Sequence, residues 1–208
     1  RRRGVSRCVV ASDPYRAVAP VYEYLLGPLL GPLRRAAARV LCGVGPVLDC
    51  CCGPAGLTAL LDASGVRVVG LDRSSAMLRR APRGLRLLRG DAARLPFADH
   101  VFGAACVVLA LHEIRRQTAL AVLQELPRVV RPGGVLVLAD WATSLPATLR
   151  PLAHLAERVA GAEHYRSFRA YQASGGLDGL ASEAGLAFAD LGRFCLGTVR
   201  LAVCRPAD

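Results

Sequence analysis

The chain has 208 residues, a hydrophobic content of 53% and a formal net charge of +11, which comes from 27 arginines and no lysine. This length suits a single domain with one core, and the longest apolar run, 101–111, is far shorter than the roughly 18 residues that span a bilayer. We therefore expect one domain without a membrane-spanning helix.

The positive charge has two interpretations, and the composition favours a coding bias towards arginine over a selected binding face. The alternative is electrostatic attraction to nucleic acid or to an anionic membrane surface. The densest arginine stretch, 79–94, has few of the interleaved aromatic residues that stack on bases. Nucleic-acid binding is therefore not indicated, although it stays open.

The eight cysteines predict a reducing compartment. Most of them lie inside apolar, strand-like runs and none has the paired spacing of a zinc site. A redox or metal site at 50–52 is disfavoured because neighbouring residues on a strand point to opposite faces. At the basic N-terminus, Asp13 and Tyr15 come too early for a secretory apolar segment. We expect a cytoplasmic protein without a metal site.

The first predicted element is helical. Apolar residues recur at helical spacing over 20–39, and Pro28 and Pro32 are expected to divide this run into short helices. We interpret 1–40 as an N-terminal helical cover over a domain at 41–208.

Strands and helices then alternate, which is typical of parallel strands with helices on both faces. The predicted strands lie near 46–51, 67–71, 85–88, 102–109 and 134–139, and the helices near 56–63, 74–81 and 117–127. Residues 132–134 predict a tight turn into the fifth strand.

The last third of the chain no longer shows the alternation of strands and helices. A helical insert near 143–184 precedes two apolar runs, 186–191 and 196–204, which are too close together for a full crossover helix, so one of them should run antiparallel. The predicted fold class is α/β: a Rossmann-like, doubly wound, mostly parallel seven-stranded sheet with helices on both faces and an antiparallel last strand.

Three carboxylates stand at the ends of successive predicted strands: Asp49, Asp72 and Asp91. In a doubly wound sheet the ligand lies outside the carboxyl ends of the strands. A carboxylate after the second strand can accept both ribose hydroxyls, and one after the third can accept from an adenine amino group, each bond contributing about 1.5 to 3 kcal/mol. The turn containing Gly53 lets the backbone approach a ligand closely. This pattern predicts an adenosine ligand.

Four segments, in order and over nearly the whole chain, resemble the motifs of the class I S-adenosylmethionine-dependent methyltransferases. They are Val47–Gly53, Gly70–Leu78, Gly90–Phe97 and Leu126–Gly134. The resemblance implies S-adenosyl-L-methionine as the cofactor, held by Asp49, Cys51, Gly53, Asp72, Arg73, Met77, Asp91 and Ala92. The implied role of Asp49 is to orient the loop and the cofactor's ammonium group.

The glycine loop departs from the family's pattern. Of three glycines at alternate positions only Gly53 remains, because Cys51 and Ala55 replace the other two. Ala55 would place a methyl group where the backbone normally approaches the cofactor. Weaker cofactor binding therefore stays open as an alternative.

The resemblance is strongest to the ubiquinone and menaquinone C-methyltransferase branch, which implies a small, lipophilic or aromatic acceptor and peripheral contact with a membrane surface. Most of the acceleration can come from holding the acceptor and the methyl group together. His112 is the candidate general base, although a structural histidine fits its position equally well. The candidate acceptor contacts, from the cover and the insert, are Tyr15, Tyr22, His164 and Tyr165.

Three other functions are weighed against this one. A non-catalytic methyltransferase-like binding protein would fit a weakened loop and an arginine-rich surface, and an RNA methyltransferase would share the cofactor but not the acceptor. A dinucleotide-binding oxidoreductase is disfavoured, since its Gly-x-Gly-x-x-Gly loop is absent from the sequence.

Overall fold

A computed structural model describes residues 13, 15 and 19–204, except for the side chains of 19–23 and 25. The strands are β1 Val47–Cys50, β2 Val68–Asp72, β3 Leu87–Arg89, β4 Phe102–Val108, β5 Val130–Trp141, β6 Ala189–Phe194 and β7 Val199–Cys204. The helices are α1 Ala19–Leu41, α2 Gly56–Ala63, α3 Ser75–Leu78, α4 Arg116–Val129, α5 Arg150–Ala160, α6 Ala162–Ala173 and α7 Gly176–Glu183.

The strands form one sheet in the order β3-β2-β1-β4-β5-β7-β6. β1 pairs in parallel with β2 on one side and with β4 on the other, whereas β7 runs antiparallel to both of its neighbours, β5 and β6. The predicted fold class is confirmed, including the antiparallel last strand. The winding reverses between β1 and β4, so a ligand crevice is expected at their carboxyl ends.

Each face of the sheet has its own core because neighbouring strand residues point to opposite sides. Val47 packs with α1 and α2 on one face, and Leu48 packs with α4 and α7 on the other. Both strand residues are fully buried. The near-continuous apolar character of the central strands follows from this burial on both faces.

The prediction that Pro28 and Pro32 break the first helix is wrong: α1 is continuous over 23 residues with both prolines inside it. The two prolines are exposed and four residues apart, so they share one solvent-facing side. Each follows a glycine, Gly27 or Gly31, which has no Cβ to clash with the proline ring. The helix can therefore bend around the prolines without ending.

The second half of α1 belongs to the domain core. Leu33, Ala37 and Leu41 are fully buried against the sheet. The division of the chain at residue 40 stays a prediction, but the packing joins this half of α1 to the sheet.

Two details differ from the predicted boundaries. β5 begins at Val130, and the turn predicted before it is a bulge inside the strand, because Phe102 pairs with Val130 while Ala104 pairs with Val135. The insert forms three helices separated near Gly161 and Gly175, both at positive φ. Within the described range, no helix is long and apolar enough to cross a membrane.

Candidate functional site

A cavity that is partly open to solvent lies at the carboxyl ends of β1, β2 and β4. All eight residues predicted to bind the cofactor line it: Asp49, Cys51, Gly53, Asp72, Arg73, Met77, Asp91 and Ala92. The sheet order therefore brings together residues that are up to 43 positions apart in the chain.

Asp72 connects the first two loops of the cavity. Its Oδ2 accepts the backbone N–H of Gly53 and its Oδ1 accepts that of Ser74, both at 2.8 Å. Burial raises the pKa of Asp72, and the two hydrogen bonds oppose the rise. A carboxylate can accept about four hydrogen bonds, so acceptor capacity remains for the hydroxyls of a ribose.

Asp49 is buried at the end of β1. The Thr58 hydroxyl donates to its Oδ2 at 2.6 Å, and the Cys106 thiol lies 3.5 Å from its Oδ1. Burial raises the pKa of Asp49 to about 6, although the hydrogen bonds and the charge of Arg34 act in the opposite direction. This carboxylate can stabilise a nearby cation such as an ammonium group.

The loop after β1 is built from left-handed backbone at Cys51, Gly53 and Ala55, with φ of 60°, 56° and 63°. Ala55 is fully buried and is not among the cavity-lining residues. Its methyl group therefore does not narrow the cavity. At Gly56, an added Cβ would lie 2.4 Å from the guanidinium carbon of Arg34, so a larger residue there would displace the end of that side chain.

The third loop presents Asp91 at the far end of the cavity. Its side chain is exposed, and its Oδ1 accepts the backbone N–H of Ala93 at 3.0 Å. Ala92 and Met77 are buried in the same wall. A planar apolar ligand group could lie against Met77 with a polar edge towards Asp91.

Asp13 and Tyr15 contact residues around this cavity, and sequence reasoning missed Asp13. The carboxylate of Asp13 accepts hydrogen bonds from the Ser74 hydroxyl and the Ala76 N–H at 2.9 Å. Tyr15 lines the cavity and donates its hydroxyl to Oε2 of Glu113 at 2.5 Å. Asp13 also accepts the backbone N–H of Tyr15 at 3.1 Å, but the local sequence does not indicate its contacts with Ser74 and Ala76, which lie more than 60 residues away.

His112, the candidate base, is 3% exposed and does not line the cavity, whereas its neighbour Glu113 does. His112 Nδ1 lies 2.5 Å from Oδ1 of Asp140. Burial lowers the pKa of His112, but the carboxylates of Asp140, Glu113 and Glu157 outweigh it and raise the value to about 9. A histidine that is protonated at neutral pH cannot accept a proton, so this geometry does not support the base role, which stays a prediction.

The other candidate acceptor contacts do not all reach the cavity. His164 Nε2 lies 2.6 Å from Oε2 of Glu157, and Tyr165 stacks on Phe168 with ring centroids 6.4 Å apart. Neither lines the cavity. The side chain of Tyr22 lies outside the described residues, so Tyr15 is the described member of the predicted set that reaches the cavity.

Comparisons with known proteins agree with this architecture. Residues 47–134 match a family model described as a methyltransferase domain. A demethylmenaquinone methyltransferase of Mycolicibacterium paratuberculosis is 42% identical over 113 residues, which are 52% of this chain and 48% of the relative. One of Mycobacterium bovis (strain BCG) is 40% identical over 152 residues, 67% of this chain and 64% of the relative. The chain thus spans between about half and two thirds of the length of these relatives.

Solved structures share the fold. A protein from Pyrococcus horikoshii superposes with a TM-score of 0.66 at 21% identity, covering 94% of this chain and 100% of that one. An S-adenosylmethionine-dependent methyltransferase from Thermotoga maritima, titled a possible histamine N-methyltransferase, gives a TM-score of 0.68 at 17% identity, covering 93% and 99%. At these identities the likeness concerns the fold alone.

Proposed function

Because the chain carries a class I methyltransferase domain related to the demethylmenaquinone methyltransferases, we propose that it transfers a methyl group from S-adenosyl-L-methionine to a small, lipophilic, quinol-like acceptor. The observation that carries this proposal is the convergence of Asp49, Asp72 and Asp91 on one cavity.

Each carboxylate suits a different part of the cofactor. Asp49 stabilises the ammonium group through its charge, Asp72 accepts the ribose hydroxyls, and Asp91 accepts the adenine amino group. Gly53 lets the loop approach the amino-acid part, since no atom lies within 4 Å of where its Cβ would be. Bound by these residues, the cofactor would supply its methyl group to the part of the cavity that Glu113 also lines.

The acceptor is proposed to bind in this part of the cavity, beside Tyr15. Ala110 and Ile114 supply an apolar lining, and Tyr15 and Glu113 supply the polar groups there. A quinol hydroxyl can donate to Glu113 alongside the Tyr15 hydroxyl, because a carboxylate can accept about four hydrogen bonds, and this contact orients the ring carbon towards the methyl group. Holding the two reactants in line can lower the barrier by about 7 to 11 kcal/mol.

The name of the relatives supports a quinol acceptor, and two alternatives remain to be tested. The exposed arginines would fit an RNA acceptor, and a non-catalytic protein would bind the cofactor weakly or not at all. The cavity favours the small acceptor because Tyr15 and Glu113, which are far apart in sequence, are joined by a hydrogen bond at its acceptor end.

The test is methyl transfer from radiolabelled S-adenosylmethionine to three acceptors offered in parallel: a short-chain demethylmenaquinol, a water-soluble catechol and total RNA. The proposal expects label in the quinol. A Tyr15→Phe variant should raise KM for the quinol while leaving the affinity for the cofactor unchanged. Label in RNA or in the catechol alone, or in none of the three while the cofactor binds, contradicts the proposed acceptor.

A further inference from the structure

Behind the cavity wall, three side chains from three elements bring metal-ligating atoms together. These are His112 from the loop after β4, Glu157 from α5 and His164 from α6. One ligand atom of each lies within 4.8 Å of the others. We propose that these residues form a site for a divalent, zinc-type metal ion, which we call the His112 cluster.

The distances fit such an ion. Bonds of about 2.0 to 2.2 Å in tetrahedral geometry place neighbouring ligand atoms about 3.4 Å apart. His112 Nε2 lies 3.7 Å from Oε1 of Glu157, and His164 Nε2 lies 2.6 Å from Oε2. The two contacts involve different oxygens of Glu157, so small shifts of these side chains would be needed to place both histidine nitrogens and the carboxylate around one ion. Two histidines and one glutamate form a ligand set that zinc enzymes use, with the fourth position left to water.

Glu157 provides a second, independent observation. The residue is 6% exposed, and its Oε2 has no hydrogen-bond partner among the described residues. His164 Nε2 lies 2.6 Å from this oxygen, so the two groups are already in close contact. The other oxygen, Oε1, is fixed by Nε1 of Trp141 at 2.9 Å. A metal ion bound between this oxygen and His164 Nε2 would coordinate both atoms.

His112 is paired with a carboxylate, as metal-binding histidines usually are. Its Nδ1 faces Oδ1 of Asp140, so Nε2 points into the cluster. Asp140 is itself fully buried and also accepts the backbone N–H groups of Leu111 and Trp141. Carboxylate–histidine–metal arrangements of this kind orient the imidazole and make it a stronger ligand.

The charges of the region also favour a cation. Asp140 and Glu157 are buried and Glu113 is nearly so, and among the described residues their ion pairs are with His112 and His164. Buried carboxylates need compensating positive charge. A divalent ion would supply it with both histidines neutral, and it would join α5 and α6 to the end of β4. Bound in this way, His112 Nε2 would not be available as a base.

The site is tested with untagged protein, because a polyhistidine tag would bind the same ions. After chelation and desalting, Zn²⁺ is titrated against a competing chromophoric chelator, and Co²⁺ is added to a separate sample for its visible absorption. One ion per chain is expected, with Co²⁺ bands of tetrahedral intensity and no thiolate charge-transfer band. This readout needs neither cofactor nor acceptor, so it is independent of the proposed function.

Variants locate the ion. His164→Ala and Glu157→Gln should each weaken binding at least about 100-fold, and Asp140→Asn about 10- to 100-fold. His154→Ala is the matched control, since His154 lies on α5 and contacts Tyr165 but is not in the cluster. The proposal is overturned if the wild type takes up no Zn²⁺ at micromolar concentration, or if His164→Ala binds as tightly as His154→Ala. The wild-type result decides the matter even where a variant fails to fold.

Discussion

At the scale of single residues, Ala55 is the clearest strained position of the cofactor loop. It has φ of 63° and ψ of 32°, directly before α2. Left-handed backbone is unfavourable by about 1 to 2 kcal/mol for a residue with a Cβ. The strain should lower the stability of the fold. It should not affect cofactor binding, because the methyl group lies outside the cavity lining.

Ala55→Gly should therefore raise the free energy of unfolding by about 1 kcal/mol and leave the affinity for S-adenosylmethionine unchanged. Urea denaturation and calorimetry measure the two quantities. The matched control is Ala59→Gly in α2, where the same change should destabilise by about 1 kcal/mol. If both variants are destabilised, Ala55 is not strained.

Asp49 predicts a pH effect with a defined sign. Its pKa is about 6 in the folded protein, above the 3.8 of an unperturbed aspartate. Between these values the folded state binds a proton that the unfolded chain does not, so this group favours folding at low pH and loses that contribution as the pH rises through about 6.

Relative to Asp49→Asn, the wild type should thus lose about 3 kcal/mol of stability between pH 4 and pH 7. Denaturation of both proteins across this range gives the difference directly, since other titrating groups are common to both. A difference that stays constant with pH would show that the Asp49 carboxyl titrates normally.

The site could be predicted from the sequence where a residue stands at the end of a strand. Asp49, Asp72 and Asp91 each follow an apolar run, and parallel pairing alone brings such positions to one edge of the sheet. Asp13 and the His112 cluster could not be predicted, because their partners come from elements distant in the chain. Nor does the sequence show where the Ala55 methyl group points, which depends on one backbone dihedral.

At the scale of elements, the two parts of α1 lie in different environments, one buried and one exposed. From Leu30 onwards it is packed on the sheet beside α2, whereas Leu26 and Leu29 are 37% and 49% exposed. Helical periodicity could predict the helix, but it could not show that the exposed prolines are tolerated. That depends on which side of the helix faces the core.

Leu33→Ala tests whether α1 is part of the core. Leu33 is fully buried, so the variant should lose about 2 to 5 kcal/mol of stability through lost burial and a cavity. Leu29→Ala, on the exposed side, should change stability by less than about 0.5 kcal/mol. If both variants lower the stability equally little in a denaturant titration, α1 is not part of the core.

At the scale of the whole molecule, α5 presents an unpartnered apolar strip towards solvent. Leu152, Leu155 and Val159 recur at helical spacing and are 60%, 57% and 80% exposed. The exposed Arg158 lies beside them. An apolar strip with basic neighbours is typical of helices that lie on anionic membranes, where a lipophilic acceptor would be found.

We therefore expect the protein to bind vesicles that contain anionic phospholipid, and the double variant Leu155→Glu, Val159→Glu to bind at least about tenfold more weakly. Leu191→Glu, an exposed leucine on β6, is the matched control and should bind like the wild type. Vesicle co-sedimentation measures all three proteins. Equal binding by all of them would place the membrane contact elsewhere or rule it out.

The central claim is that carboxylates from successive strands bind one adenosyl group at the carboxyl edge of the sheet. Its most direct test is calorimetric titration of S-adenosylmethionine into the wild type, the double variant Asp72→Ala, Asp91→Ala, and the control Asp62→Ala on the exposed side of α2. We predict micromolar affinity for the wild type and the control, and a loss of at least about 100-fold for the double variant, from two charged hydrogen bonds of about 1.5 kcal/mol or more each. Absence of binding by the wild type at millimolar cofactor, or equal affinity in all three proteins, would contradict the account.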